Sequence, residues 1–263
     1  MDTEPLSLNH KRRLRKLRLK KYREREGLFL AEGRNACREA LRGDRYPLRE
    51  TIISRDLPDN DREWLSRELS SRTVPVYSCS RADINELSSE EHARGILVVC
   101  KSVDSSLDTP NNDQPDRIVY LEGISDAGNL GTIMRTSLWF GVNRIALGPS
   151  CIDPYNTKVI RASAGTIFGV SLIRDVAAEK LFSFAETQGY DLVATSPRGG
   201  IPPAELKKEG RIVLLLGEES RGLSSELMEH AHTLVTVPGS GAAESLNLAA
   251  AAAILLYETR TVP

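Results

Sequence analysis

Apolar residues fall into two successive series along the chain. In the first, runs of strand length stand at residues 28–31 (Leu-Phe-Leu-Ala), 50–53, 74–77 and 96–100. Between them, Ala36, Cys37, Ala40 and Leu41 within 34–41, a segment at 62–69, and the surroundings of Ile84 and Leu87 carry helical spacing. Strand and helix alternate, which predicts a small α/β domain over residues 1–101. Residues 102–116, SVDSSLDTPNNDQPD, have no apolar period and are rich in Ser, Asp, Asn and Pro, the composition of a linker. A second series fills 117–263. It opens with Arg117-Ile-Val-Tyr-Leu121 and predicts a helix over 132–140 and a strand over 144–147, then strands near 169–172, 191–194, 211–216 and 233–237. Runs such as Ile212-Val-Leu-Leu-Leu216 lack polar alternation, as strands do when both faces are covered in a parallel sheet. The series ends in a helix over 249–257 of strong helix formers, and no internal repeat is found.

Charge adds to this picture once it is divided along the chain. Residues 1–45 hold fourteen Lys and Arg against seven Asp and Glu, a local charge near +7, so a total of -1 leaves the remainder near -8. Ten basic residues fall within the fifteen from Lys11, and Leu14, Leu17 and Tyr22 are spaced to share one side of a helix. A merely solvated face normally mixes its charges. The run therefore points to an anionic polymer, with Lys11, Arg12, Arg15 and Arg18 as candidate phosphate contacts. At 263 residues and 40% hydrophobic content the chain can build substantial cores. Its longest apolar run, 248–257, is half alanine and too short to span a bilayer, and its N-terminus is charged, so a cytoplasmic protein with no membrane partner is expected. Cys37, Cys79, Cys100 and Cys151 are scattered without a C-x-x-C, which suggests reduced thiols rather than disulfides or zinc. His230 and His232 beside Glu229 are read as a surface helix end, and no metal is expected.

Three polar, glycine-containing loops follow apolar strands. The first is Asp126-Ala-Gly-Asn-Leu-Gly-Thr-Ile-Met-Arg-Thr136. It matches neither G-x-G-x-x-G nor G-x-x-x-x-G-K-[ST], so nicotinamide and ATP chemistry lose their usual sequence support. Asn129 and Arg135 stand six apart, and with a helix beginning between them Arg135 would project back toward the loop. The second is Leu216-Gly-Glu-Glu-Ser-Arg-Gly-Leu223, a carboxylate between glycines where open α/β sheets bind ligands; a turn with a capping acid is the plainer reading. The third is Thr236-Val-Pro-Gly-Ser-Gly-Ala-Ala-Glu-Ser-Leu-Asn-Leu248. Its glycines allow close backbone approach to a ligand, whereas Ser245 and Asn247 equally suit a helix cap.

Together these loops resemble the SpoU (TrmH-like) branch of the SPOUT RNA methyltransferases. The family's N-x-G-x-x-x-R corresponds to Asn129, Gly131 and Arg135. Its G-x-E-x-x-G-L corresponds to Gly217, Glu219, Gly222 and Leu223, and its aliphatic-Pro stretch leading to S-L-N corresponds to Val237-Pro238 and Ser245-Leu-Asn247. Gly239 stands where the family often has Met. The first hundred residues, with Phe29-Leu-Ala-Glu-Gly33, resemble the family's ribosomal-protein-like RNA-binding domain. The resemblance implies a trefoil-knotted parallel-sheet domain, a homodimer with active sites at the subunit interface, and transfer of methyl from S-adenosylmethionine to a ribose 2'-hydroxyl of rRNA or tRNA, without a metal. It further implies that Asn129, Glu219, Ser245 and Asn247 arrange Arg135 and the ribose, while Gly217, Leu223, Val237 and Leu246 line the cofactor with Thr195 nearby. The N-terminal domain favours rRNA over tRNA, because minimal tRNA members lack one.

The sulfonium methyl is already activated, so the protein must align it with the hydroxyl and help remove one proton. A guanidinium holds its proton at neutral pH, so Arg135 acts either as a base made neutral by its surroundings or as an orienting group for hydroxyl and phosphate. Two rivals are a non-catalytic RNA-binding protein of the same fold, which has no reason to keep Arg135, Glu219, Ser245 and Asn247 together, and a methyltransferase acting on a base nitrogen, against which the Ser-Leu-Asn signature counts.

Overall fold

The computed structural model describes residues 2–70, 72–89, 95–109, 116–207, 209–241 and 245–260; residues 110–115 of the expected linker and 242–244 of the third loop lie outside these. In chain order the first elements are β1 (Glu4–Pro5), α1 (Leu8–Lys16), α2 (Lys20–Glu26), β2 (Leu28–Glu32), α3 (Arg34–Arg42), β3 (Leu48–Ser54), α4 (Asp59–Leu69), β4 (Val76–Cys79), α5 (Arg81–Leu87) and β5 (Ile96–Lys101). There follow β6 (Arg117–Leu121), α6 (Ala127–Trp139), β7 (Arg144–Leu147), α7 (Thr157–Ala162), β8 (Ser171–Ile173), α8 (Ala178–Gln188), β9 (Tyr190–Thr195), β10 (Arg211–Leu216), α9 (Ser225–His230), β11 (Thr233–Val235) and α10 (Leu248–Glu258). Packing divides the chain into two compact units, Met1–Val103 with Asp153–Gly169, and Asp104–Ile152 with Val170–Pro263.

The first unit has a five-stranded sheet in the order β1-β4-β3-β5-β2, in which β5 runs antiparallel to both its neighbours. Side chains alternate across β2: Leu28 and Leu30 face a core with Leu14, Leu17, Ile52, Ile84, Leu97 and Val99. Phe29, between them, stacks on Tyr155 with ring centroids 4.7 Å apart, edge-on to Tyr46 at 5.6 Å. Tyr155 comes from the stretch that the linear division of the sequence assigned to 117–263, and its aromatic ring explains why residues 153–169 pack with this unit.

The basic run is not one helix. α1 ends at Lys16, Leu17 is buried, Leu19 is extended, and α2 starts anew. Arg23 causes the turn inward. Its Nη2 lies 2.6 Å from Asp153 Oδ2 with both side chains about 5% exposed (5%/4%), and its Nη1 donates to the Leu17 and Arg18 carbonyls at 2.8 Å. It thus satisfies carbonyls that the end of α1 leaves without helical partners.

The second unit is a six-stranded parallel sheet in the order β11-β9-β10-β6-β7-β8. The uninterrupted apolar runs of β6 and β10 are buried throughout, apart from exposed Arg211. α10 packs on α6, burying Leu248, Ala249, Ala252, Leu255 and Leu256 against a helix whose Leu130, Gly131, Ile133 and Met134 face inward. At the far end Arg144 Nη1 reaches Asp116 at 3.3 Å and the Tyr190 hydroxyl at 3.0 Å; burial, then the hydrogen bond to Asp116, push the Tyr190 phenol up to about 12. The chain leaves β6 toward β7 and β8 on one side, while β10, β9 and β11 lie on the other, so strand order reverses at β6 and β10. No helix among the described residues is long and apolar enough to cross a membrane.

Candidate active site

In an open parallel sheet the crevice at the carboxyl ends of the strands where order reverses is the place for a ligand. Here that crevice is bounded by the loops after β6 and β10, with those after β9 and β11 beside them. Asp126 caps α6 by accepting from the Asn129 amide at 2.7 Å. α6 therefore begins five residues earlier than the sequence pattern predicts, and Asn129 lies in its first turn, not in the loop. The cap signal, an Asp three residues before Asn129, is present in the sequence but lies outside the apolar period used to place the helix.

The loop after β10 is fixed by its own backbone. A Cβ on Gly217 would stand 2.1 Å from the Gly222 carbonyl carbon, Gly222 takes φ +70°, and its amide donates to the Glu218 carbonyl at 2.7 Å. Glu122, which the motif reading missed, ties this loop to the one after β6: Oε2 accepts from the Ser224 amide at 2.7 Å. Its signal was no more than a carboxylate directly after an apolar strand. At β9, the Thr195 hydroxyl donates to the Leu215 carbonyl at 3.1 Å, and Gly200 lies so close to β11 that a Cβ would meet Leu234 backbone at 2.7 Å.

Three of the predicted catalytic side chains form one directional chain of hydrogen bonds. Asn247 is the N-cap of α10, and its Oδ1 accepts from the amides of Ala249 and Ala250 at 2.9 and 3.3 Å. That fixes its carboxamide, so Nδ2 donates, and does so to Asn129 Oδ1 at 3.0 Å. Asn129 Nδ2 in turn donates to Glu219 Oε1. The chain runs from the positive end of a helix to a carboxylate, so each bond polarises the next.

The remaining candidates are placed differently. Ser245 and Leu246 are exposed before α10, Val237 is half-buried, and half-buried Leu223 packs on the apolar core. Arg135 is exposed and stands on α6 with Asn129, six residues and about 240° further around the helix. No hydrogen bond of its side chain is found among the described residues. It shares a face with Trp139, one turn on, which is 84% exposed. Partly exposed Ile254 and Tyr257 stand on the neighbouring α10. His230 stacks on Phe182 and His232 accepts from the Leu192 amide, which gives both imidazoles structural partners.

Of the basic-run candidates, Lys11 pairs with Asp83 at 2.6 Å and Glu86 at 3.0 Å, Arg15 with Glu86 at 2.6 Å, and Arg18 reaches the Glu86 carbonyl at 3.5 Å. Arg12 is exposed.

The groups available to a cofactor are backbone amides and carbonyls at glycine turns. Gly239 and Gly241 have nothing within 4 Å of where a Cβ would stand, so a flat ligand can press on that loop. Backbone amides and carbonyls of this kind can hydrogen-bond the edge of a heterocycle and the polar ends of an amino acid.

Comparison with known proteins gives a consistent result. The SpoU rRNA Methylase family matches residues 116–257, and an MRM3-like substrate binding domain matches residues 9–98. A 23S rRNA (guanosine(2553)-2'-O)-methyltransferase of Bacillus subtilis, RlmP, is 28% identical over 94% of both chains. A tRNA/rRNA methyltransferase of Synechocystis is 30% identical over 95% of this chain and 89% of its own. The solved AdoMet-bound rRNA methyltransferase from Sinorhizobium meliloti superposes with a TM-score of 0.87 at 27% identity, covering 98% of this chain and 97% of that one.

Proposed function

The chain belongs to the SpoU rRNA methylase family, and from that premise we propose that it methylates a ribose 2'-hydroxyl of ribosomal RNA. The observation that carries this reading is the Asn247–Asn129–Glu219 hydrogen-bond chain, which joins the three motif-bearing loops at the sheet's switch point. S-adenosylmethionine supplies an electrophilic methyl on a sulfonium. Gly217, Leu223, Val237, Leu246 and Thr195 are the residues assigned to hold it, mostly through backbone groups of their loops.

The chain's own residues then divide the work. Glu219, held by Asn129, presents its carboxyl group at the crevice, and Ser245 stands exposed at the entry to α10. Arg135 orients the ribose hydroxyl and its phosphate or accepts the proton. Because it shares the exposed face of α6 that carries Trp139, we assign the enzyme as a homodimer in which that face, with Ile254 and Tyr257, meets a second copy and Arg135 serves the site there. Lys11, Arg12, Arg15 and Arg18 are assigned to RNA; of these Arg12 is the most available, since Lys11 and Arg15 already have carboxylate partners.

Ribosomal RNA is favoured over transfer RNA by the match of residues 9–98 to a substrate binding domain and by the full-length likeness to RlmP. The test is methyl transfer from labelled S-adenosylmethionine to protein-free ribosomal RNA and to bulk transfer RNA, with nucleoside analysis of the product. A 2'-O-methylated nucleoside from ribosomal RNA is expected. Label on a base nitrogen, or on transfer RNA alone, overturns the assignment.

A further inference from the structure

A cavity of about 400 Å³ lies in the first unit, lined by none of the residues of the crevice described above. Its lining includes three arginines, Arg34, Arg38 and Arg161, together with Gly33, Asn35 and Ala164. Its one carboxylate, Glu32, is 1% exposed and already saturated: it accepts from the Ser88 hydroxyl and the Ser89 amide at 2.9 Å and pairs with Arg161. The charge offered to the space is therefore positive.

Two of the three arginines are available. Arg34 is half exposed (51%) and has one long contact to Asp61 at 3.5 Å. Arg38 lies close enough to Glu68 to help lower its carboxyl, and its buried Nε has no hydrogen-bond partner among the described residues. Gly33 has no side chain to cap α3, and residues Gly33 to Ala36 at the start of that helix belong to the lining.

We propose that this cavity takes a phosphodiester of the RNA backbone, with Arg34 and Arg38 as its donors and the Arg161–Glu32 pair as its wall. Guanidinium forks match phosphate oxygens two at a time. The volume suits a nucleotide-sized group better than a free inorganic phosphate. The site rests on the reading that the chain acts on RNA. It adds a phosphate contact in α3, 9 and 13 residues past the end of the basic run at Arg25.

The experiment uses the full chain and protein-free ribosomal RNA as probe. Binding is measured over a salt series for wild type and for the double variant Arg34→Gln, Arg38→Gln, with the unfolding midpoint and S-adenosylmethionine titration followed in parallel. Losing two phosphate contacts should lower the log-log salt slope by about 1.4–1.8, with cofactor affinity and midpoint unchanged. If the double variant does not fold, Arg34→Gln alone should lower the slope by about 0.7–0.9. An unchanged slope in folded protein that still binds S-adenosylmethionine overturns the cavity assignment alone. Absence of S-adenosylmethionine binding in the wild type overturns the enzyme reading beneath it. Stabilisation of wild type by millimolar pyrophosphate, with the salt slope unaltered in the variants, assigns the cavity to a free anion and likewise overturns the RNA contact.

Discussion

Asn247 does two jobs with two atoms. Its Oδ1 caps α10, as its residue type and position before an alanine-rich helix suggest, and its Nδ2 holds Asn129, which no local pattern could show. Asn247→Asp separates them. The carboxylate keeps the cap and suits the helix N-terminus, but it removes the donor to Asn129. The unfolding midpoint should hold, while single-turnover methyl transfer should fall on the order of a hundredfold; a loss of stability with normal turnover would leave Asn247 as a cap alone. Arg135 gives the complementary case. Arg135→Ala should cut turnover on the order of a hundredfold with cofactor affinity, read by calorimetry, nearly unchanged, and Arg135→Lys should not restore it, since an ammonium lacks the planar fork of donors. Near-normal turnover in both would reduce Arg135 to a surface residue of α6.

Among the elements, α1 and α2 show how far charge in a sequence can mislead about exposure. The run reads as a basic helix, yet Arg23 is buried against Asp153, 130 residues away, and Lys11 bridges α1 to α5 through Asp83 and Glu86. Removing one partner of a buried pair costs about 3–5 kcal/mol, so Asp153→Ala should lower the urea midpoint of the first unit steeply, whereas the exposed Lys20–Glu24 pair should contribute little. The Asp83 carboxyl is held down at about 2, first by the hydrogen bond from Lys11 and then by Ser80. A depressed carboxyl stabilises the fold above its unfolded value, near 4, and loses that contribution as pH falls toward about 2. The stability difference between wild type and Asp83→Asn should therefore be full at pH 6 and shrink across that acid window in pH-dependent denaturation. A difference that stays constant from pH 6 to pH 2 would remove the Lys11 contact from the account.

For the molecule as a whole, the exposed face of α6 and α10 is the surface proposed to meet a second copy. Trp139→Glu should shift the protein to monomer in sedimentation and abolish methyl transfer while S-adenosylmethionine still binds; a monomeric wild type would dissolve the assignment of Arg135 to a partner's site. The sequence by itself determined the kinds of elements, the parallel sheet announced by the apolar runs of β6 and β10, and the loops at strand ends where chemistry would sit. Those features follow from periods of two and 3.6 residues and from glycine placement, which act over a few neighbours. Only the tertiary structure decided that Asn129 meets Glu219 across 90 residues and Asn247 across 118, that residues 153–169 pack with the first unit, and that Arg23 and Lys11 in the basic run face carboxylates. A hydrogen bond or ion pair between distant segments leaves no period in either, because its partners are chosen by how the strands are ordered and the helices packed, and that choice is made by the whole fold.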